Sequence, residues 1–408
     1  MNFLSPLPQK EPFLVSDETI YKLLKDPKEE IEFFKDGMVT NGYVVVDEKD
    51  YLKRPLYALV FITYVLQFFA ENMEILNSLN PRHKRFQRAY RNWKKNHMLR
   101  LFPYIQGNEL NAFYTRSGGG QLLCNTFFQG GKLMFTCDNY DIIAHETGHA
   151  NLDRSRQDFN NSGCMQTKAL HEAWADLTVI FSLLKIDNIR QKFLEETKGN
   201  LLNSTFISMS GENLQNGEPA RNALNEKTMF NVKNEEHDQS NVFTAAIYKV
   251  LAEGFQIRRI NYPKSTDDQI LQEVVKDLSL LVIAAFLTVP YSDPSFSDVG
   301  KTMSEIAGNN EGMNYISGLL DEIFLSKGID IELPHQSAKN FTHPVEPSHP
   351  YCCRAFGHSK ILRQKKKASQ IHKYPSGFEK VTRQGFIFEN RKDDGKGKHK
   401  QWDQWGEY

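Results

Sequence analysis

Apolar residues recur through the second half of this chain at the three- and four-residue spacing of an amphipathic helix. Short polar stretches divide this pattern into five segments. They cover residues 170–185, 239–254, 267–287, 297–307 and 312–326. The spacing therefore predicts an almost wholly helical body after residue 170, with a polar loop at 203–234 between its first two helices.

The first half of the chain mixes helical and strand patterns. Helical spacing appears in three segments, at residues 16–36, 56–70 and 82–95. Runs rich in β-branched and aromatic residues, bounded by glycines and other turn formers, indicate strands. These runs lie at residues 43–46, 111–115, 122–128 and 132–136. The pattern predicts a β-rich layer that leads into a helix over residues 141–153.

The helix predicted over residues 141–153 carries the sequence His145-Glu146-Thr-Gly-His149. Residues four apart lie on one face of a helix, about 6 Å from each other, so both imidazoles can bind one cation. Glu146 then lies beside the metal, where a carboxylate can accept a proton from a metal-bound water. A chance match in a solvated helix is the alternative, and the apolar residues around the motif argue against it. The motif predicts a zinc centre with Glu146 as general base.

A second helix supplies a third ligand. Its sequence Leu170-His-Glu-Ala-Trp-Ala-Asp176 offers Glu172 and Asp176 one turn apart on one face. We expect Glu172 to bind the metal and Asp176 to orient a ligand histidine. Two histidines and one glutamate leave the fourth tetrahedral position open for water, as a catalytic zinc site requires. His171 is the rival third ligand.

These motifs resemble those of the thermolysin-like zinc metallopeptidases. The likeness of the first helix extends to Asp153, and Glu172 with Asp176 is similar to the family's Glu-x-x-x-Asp on the following helix. The resemblance implies one zinc ion held by two histidines and a glutamate, in a peptidase that cleaves peptide or protein substrates. It covers roughly residues 100–331.

Three further segments resemble the family's substrate site. Asn111-Ala112-Phe113-Tyr114 is similar to an Asn-Ala-Phe-Trp edge strand, whose backbone and asparagine side chain hold the peptide. Residues 237–248 resemble the segment whose histidine stabilises the transition state, which implies that role for His237. Residues 220–225 resemble, less closely, the segment with the substrate-binding arginine, which is Arg221 here.

The resemblance implies an α+β fold with two lobes and the zinc cleft between them. The mixed α/β N-terminal lobe would cover residues 1–155 and the helical C-terminal lobe residues 156–331, followed by a basic polar tail at 332–408. Two positions depart from the family. Leu183 stands where a calcium-binding carboxylate would fall, so we do not expect calcium at the family's paired site. Phe159 lies in the segment where the family has an oxyanion-binding tyrosine, which leaves His237 to work with Arg221 alone.

Composition is consistent with this interpretation. The 408 residues, 40% of them hydrophobic, suffice for two lobes. The net charge of zero argues against wholesale attraction to nucleic acid or membranes. Basic runs at 82–95, 363–367 and 396–400 leave such contact open as an alternative to a solvated surface. His343, His349, Cys352, Cys353 and His358 match no zinc module, and we interpret them as loop residues.

Five cysteines are too few and too irregular for a disulfide framework, so we expect reduced thiols. The first residues lack an ordinary signal peptide. The apolar run at 56–70 is too short to span a bilayer. These features predict the cytoplasm or another reducing compartment, or export by a non-standard route.

The functional hypothesis is a zinc-dependent endopeptidase. Ile142 and Leu183 suggest apolar walls near the metal and hence a bulky hydrophobic residue after the scissile bond. Two alternatives remain open at this point. One is an inactive peptidase-like protein that binds a peptide or protein partner, and the other is an interaction protein that acts through its basic segments.

Overall fold

A computed structural model describes ten stretches of the chain. They are residues 39–40, 43–44, 48–95, 98–106, 111–116, 120–129, 132–210, 221–335, 351–352 and 386–389. The helix predicted at 16–36 and the basic runs at 363–367 and 396–400 lie outside these residues, as do His343, His349, Cys353 and His358.

The strands of the described residues form one main sheet and two small ribbons. In chain order they are β1 (Val39–Thr40), β2 (Tyr43–Val44), β3 (Met98–Gln106), β4 (Ala112–Thr115), β5 (Gln121–Gln129), β6 (Lys132–Phe135), β7 (Met209–Ser210), β8 (Arg221–Asn222), β9 (Tyr351–Cys352) and β10 (Phe386–Glu389). The main sheet has the order β10-β3-β5-β4-β9, with β6 also paired to β5. Only the β3–β5 pair is parallel among these strands. One ribbon joins β1 to β2 and the other joins β7 to β8.

Helices make up most of the described residues. They are α1 (Glu48–Leu79), α2 (Lys84–Lys94), α3 (Tyr140–Ser155), α4 (Gln157–Asn160), α5 (Met165–Leu184), α6 (Asp187–Thr197), α7 (Glu236–Asn261), α8 (Asp267–Thr288), α9 (Phe296–Gly308) and α10 (Asn314–Ser326). None of these helices combines the length and the apolar character that a membrane crossing requires.

The core is continuous from α1 to α10. Residues 56–70 lie inside α1, where Phe61, Val65 and Phe69 are almost fully buried, so the predicted buried helix is confirmed. Phe286 of α8 contacts aromatic rings from three other helices. Its centroid lies 5.8 Å from Phe159, 5.1 Å from Trp174 and 6.1 Å from Phe243. Because α1 also packs against α8, helices from both predicted lobes share this core. The division into lobes at residue 155 stays a prediction.

Two local features set the position of α3. The Asn139 side chain caps the helix by accepting a hydrogen bond from the Ile142 amide at 3.2 Å. Farther along, Gly148 allows α5 to approach closely, because a Cβ at that position would lie 3.0 Å from the Ala175 Cα. The Trp174 indole N–H donates to the Gly148 carbonyl oxygen at 2.9 Å. This close packing brings the histidine face of α3 toward Glu172 of α5.

Candidate metal centre

Three buried side chains direct donor atoms to one point between α3 and α5. The Nε2 atoms of His145 and His149 lie 3.1 Å apart. Glu172 Oε2 is 3.4 Å from His145 Nε2, and Glu172 Oε1 is 3.4 Å from His149 Nε2. Of the residues described, these three form the buried group with donor atoms close enough to hold one metal ion. They are the three ligands predicted from the sequence.

The spacing of the donor atoms fits zinc. Ligand atoms about 2.0–2.1 Å from a tetrahedral zinc ion lie about 3.3–3.4 Å from one another, which follows from the tetrahedral angle. The two histidine nitrogens lie 3.1 Å apart, and each lies 3.4 Å from one of the two Glu172 oxygens, which is close to this value. Imidazole nitrogen and carboxylate oxygen are also the ligand types of catalytic zinc sites. The residues present therefore fit a zinc ion.

Asp176 fixes the tautomer of His145. Its Oδ1 accepts a hydrogen bond from His145 Nδ1 at 2.9 Å, which leaves the Nε2 lone pair for the metal. Burial alone would lower the pKa of His145. The hydrogen-bonded carboxylates of Asp176 and Glu172 outweigh it and raise this pKa to about 10. A proton therefore competes with a metal ion for the site.

His171 contacts the Nδ1 atom of His149, as Asp176 contacts that of His145. The two Nδ1 atoms lie 2.6 Å apart, and the rings stack with centroids 4.8 Å apart. Burial lowers the pKa of His171 to about 4 and holds that of His149 well below its usual value, so both rings are neutral at neutral pH. A metal on His149 Nε2 requires the proton on its Nδ1, which then donates to His171. His171 therefore contacts His149 at Nδ1 and is not part of the described donor group, and the choice of Glu172 over His171 as third ligand stays a prediction.

Glu146 lies on α3 directly after His145 and is fully buried. Burial raises the pKa of the Cys124 thiol well above its usual value, and the charges of Cys137 and Glu146 raise it further. The Glu146 carboxylate is thus within electrostatic range of Cys124 on β5, which lies opposite Ala112 of β4.

His237 approaches the donor group from α7. Its Nε2 atom lies 3.5 Å from Glu172 Oε2, and its Nδ1 atom donates to Glu235 Oε1 at 2.6 Å. Burial lowers the pKa of His237, but Glu172 and Glu235 outweigh it and raise this pKa. Burial raises the pKa of the Glu235 carboxyl, but the hydrogen bond to His237 outweighs it and lowers this pKa to about 2. The raised pKa of His237 favours the protonated ring, whose Nε2 faces Glu172.

Arg221 of β8 contacts two carboxylates of the centre. Its Nη2 atom donates to Glu172 Oε2 at 3.0 Å, and its Nη1 atom lies 3.6 Å from Asp176 Oδ2. Nη1 also donates to Ser240 Oγ at 3.3 Å. The guanidinium group therefore partly neutralises both carboxylates and holds Glu172 in place.

Ala112 begins β4 and Asn111 directly precedes it, and this strand is hydrogen-bonded to α3. Neither residue belongs to the donor group. The Tyr114 hydroxyl of β4 donates to Asp153 Oδ2 of α3 at 2.9 Å. The Arg116 guanidinium also binds this carboxylate, with 2.9 Å between Nε and Oδ2. These bonds tie β4 to α3, and the substrate-binding role of Asn111 and Ala112 stays a prediction.

Two positions that depart from the family lie inside the fold. Phe159 is fully buried and stacks against Phe286 in the core. Leu183 is buried in α5. The expectation that calcium is not bound at the paired site continues to depend on the sequence alone.

Sequence reasoning missed Glu235 and Arg116. Glu235 caps α7, and an acidic residue at a helix start two residues before a candidate histidine is the signal that was available. Arg116 carries no comparable signal, because its partner Asp153 is distant in sequence.

No protein-family model and no curated protein sequence matches this chain.

Proposed function

We propose that this protein is a zinc-dependent endopeptidase with a two-lobed, thermolysin-like α+β fold. The observation that supports the proposal best is the convergence of His145, His149 and Glu172. Both histidines have a hydrogen-bonding partner at Nδ1, as ligands of a catalytic zinc commonly do. A site with three protein ligands also leaves a position for water.

Zinc bound to these residues would polarise the scissile carbonyl and lower the pKa of an attacking water. Glu146 directly follows His145 and is buried, and its carboxylate would accept the proton of the attacking water and deliver it to the leaving amine. Asp176 and His171 hold the ligand rings. Glu172 and Glu235 raise the pKa of His237, which favours the form that can donate a hydrogen bond from Nε2 to the negative charge developing on the carbonyl oxygen.

The peptide substrate would lie along β4, with Asn111 and Ala112 as contacts and a bulky hydrophobic residue after the scissile bond. A cavity of about 20 Å³ next to Arg221 has Val179, Ile180 and Ile207 in its lining. This volume holds about one water molecule. A bulky side chain would therefore need these residues to move apart.

The thiol chemistry supports a reducing compartment. Cys124 is buried and Cys164 partly buried, and neither is in a disulfide. Burial also keeps the Cys124 thiol protonated.

The test compares the purified chain with its Glu146→Gln variant, measuring zinc content and cleavage of a mixed peptide library. Glutamine keeps the shape of glutamate but cannot accept the proton. We expect equal, stoichiometric zinc and a fall in turnover of about 10²- to 10⁴-fold in the variant. Equal cleavage by both proteins would contradict the mechanism. Zinc without cleavage by either would favour the peptide-binding alternative.

A further inference from the structure

The strand predicted to hold substrate has a partner on each side. On its inner side β4 pairs with β5, with Phe113 opposite Leu123 and Tyr114 opposite Leu122. On its outer side β4 pairs antiparallel with β9, with Phe113 opposite Cys352 and Tyr114 opposite Tyr351. The outer partner therefore comes from the C-terminal tail, far along the chain from β4.

Backbone hydrogen bonding shows which residues of β4 face this tail strand. The Asn111 carbonyl accepts a hydrogen bond from the Asn125 amide at 2.9 Å, so the polar groups of Asn111 point toward β5. Successive residues of a strand direct their backbone groups to opposite sides. Ala112 and Tyr114 therefore direct theirs to the outer edge, where β9 lies. Tyr114 and Tyr351 form the pair that exchanges two hydrogen bonds.

The strand whose outer edge β9 occupies is bonded to the helix of the proposed catalytic groups. Tyr114, whose backbone faces β9, donates a hydrogen bond from its hydroxyl to Asp153 of α3 at 2.9 Å. The same helix carries His145, Glu146 and His149. A strand bound at this edge therefore lies next to a strand that contacts the helix of the general base.

We propose that Tyr351–Cys352 acts as an intramolecular competitor of the substrate, because it occupies the backbone groups of β4 that an extended peptide needs. This inference depends on the proposed function for its effect on catalysis. Peptides commonly bind to sheets by adding a strand to an edge, through the same main-chain hydrogen bonds that β9 makes. Residues 336–350 connect the competitor to His335, so it is present at a high effective concentration.

His335 fixes the beginning of this connection to the body of the protein. Its ring stacks on Tyr291, with centroids 3.6 Å apart. Its Nδ1 atom lies 2.9 Å from Asp298 Oδ2, and its Nε2 atom lies 3.6 Å from Asp293 Oδ1. The tail therefore starts from a defined point and reaches β4 across a fixed length of chain.

Successive N–H groups of β9 point to opposite sides, so substitutions at Tyr351 and Cys352 in the full-length chain can be compared as matched variants. Tyr351→Pro removes the N–H that binds Tyr114 and should release β9. Cys352→Pro removes an N–H that points away from β4, where an edge strand tolerates proline. Tyr351→Val changes the same side chain but keeps the N–H and a high strand propensity.

Because a competitor affects substrate binding alone, we expect Tyr351→Pro to lower the KM for library peptides by about five- to thirtyfold with kcat unchanged, as the loss of one or two hydrogen bonds implies. Cys352→Pro and Tyr351→Val should keep the wild-type KM. Hydrogen exchange of the Tyr114 amide should be faster only in Tyr351→Pro. Equal KM and equal Tyr114 exchange in all four proteins would overturn the inference.

A second readout separates this inference from the proposed function. If none of the four proteins cleaves peptides, the peptidase proposal fails, and binding of a fluorescent peptide of residues 347–355 tests the edge instead. Binding at least fivefold tighter to Tyr351→Pro than to Cys352→Pro supports the occupied edge. Equal binding to these two variants overturns it.

Discussion

Asp176→Asn should weaken zinc binding, because Asp176 is the carboxylate that orients a predicted ligand. The Asp176 Oδ1 atom lies 2.9 Å from His145 Nδ1, and both side chains are 7% exposed. Asparagine keeps the volume and one acceptor oxygen but loses the negative charge. The His145 ring can then stay in place, while its basicity toward the metal falls.

The expected size follows from the loss of a buried charge-assisted bond. Changing such a partner of a metal ligand typically costs 10- to 100-fold in metal affinity. A tenfold change corresponds to about 1.4 kcal/mol. Because asparagine can still accept the hydrogen bond, we expect about a tenfold weaker zinc affinity for Asp176→Asn. Asp176→Ala, which removes the acceptor, should be close to 100-fold weaker.

Competition with a chromophoric chelator measures this affinity, and Glu235→Gln is the matched control. Glu235 also accepts a hydrogen bond from a histidine Nδ1, at 2.6 Å, but that histidine is His237, which is not a predicted ligand. We expect Glu235→Gln to keep the wild-type zinc affinity and to lower kcat. Wild-type zinc affinity in Asp176→Asn, or equal losses in both variants, would refute the assignment of ligands.

Two further predictions concern the packing around the centre. Arg221→Met should destabilise the zinc-free protein by about 1.5–3 kcal/mol, because the buried Glu172 carboxylate loses a charged hydrogen-bond donor. Zinc should restore part of this loss in thermal unfolding, and equal losses with and without zinc would count against the prediction. Gly148→Ala should cost about 1–3 kcal/mol in denaturant unfolding through its contact with Ala175 and Thr178, whereas Gly318→Ala in α10, where the added Cβ meets open space, should gain up to about 1 kcal/mol. A neutral Gly148→Ala would contradict the close approach of α3 and α5.

The long helices could be predicted from the sequence because their apolar period is sustained over several turns. The segment predicted at 239–254 lies within Glu236–Asn261, and that at 267–287 within Asp267–Thr288. Helix α6 was missed, because its sequence is strongly charged and only a few residues face the core. Strand β3 was missed because Arg100 and Pro103 interrupt its apolar pattern.

The donor residues could be predicted because their spacing within single helices is local. Asp176 could be predicted as a partner for the same reason, since it lies one turn from Glu172 on the same helix. The contacts of His171 with His149 and of Glu235 with His237 could not, since they depend on how the helices pack and on the conformation at the start of α7. The strand β9 depends on a pairing between residues far apart in sequence. No local pattern at Tyr351 indicates which edge it joins, so the occupied edge of β4 becomes visible only in the folded chain.

The central claim is that His145, His149 and Glu172 bind one zinc ion, and X-ray absorption at the zinc edge tests it most directly. The measurement uses the full chain loaded with one equivalent of zinc, beside His149→Ala treated identically. We expect four nitrogen or oxygen ligands at about 2.0–2.1 Å, with scattering from two imidazoles and none from sulfur. The variant should lose one imidazole or the metal itself. Sulfur ligands, or an unchanged spectrum in His149→Ala, would contradict the account.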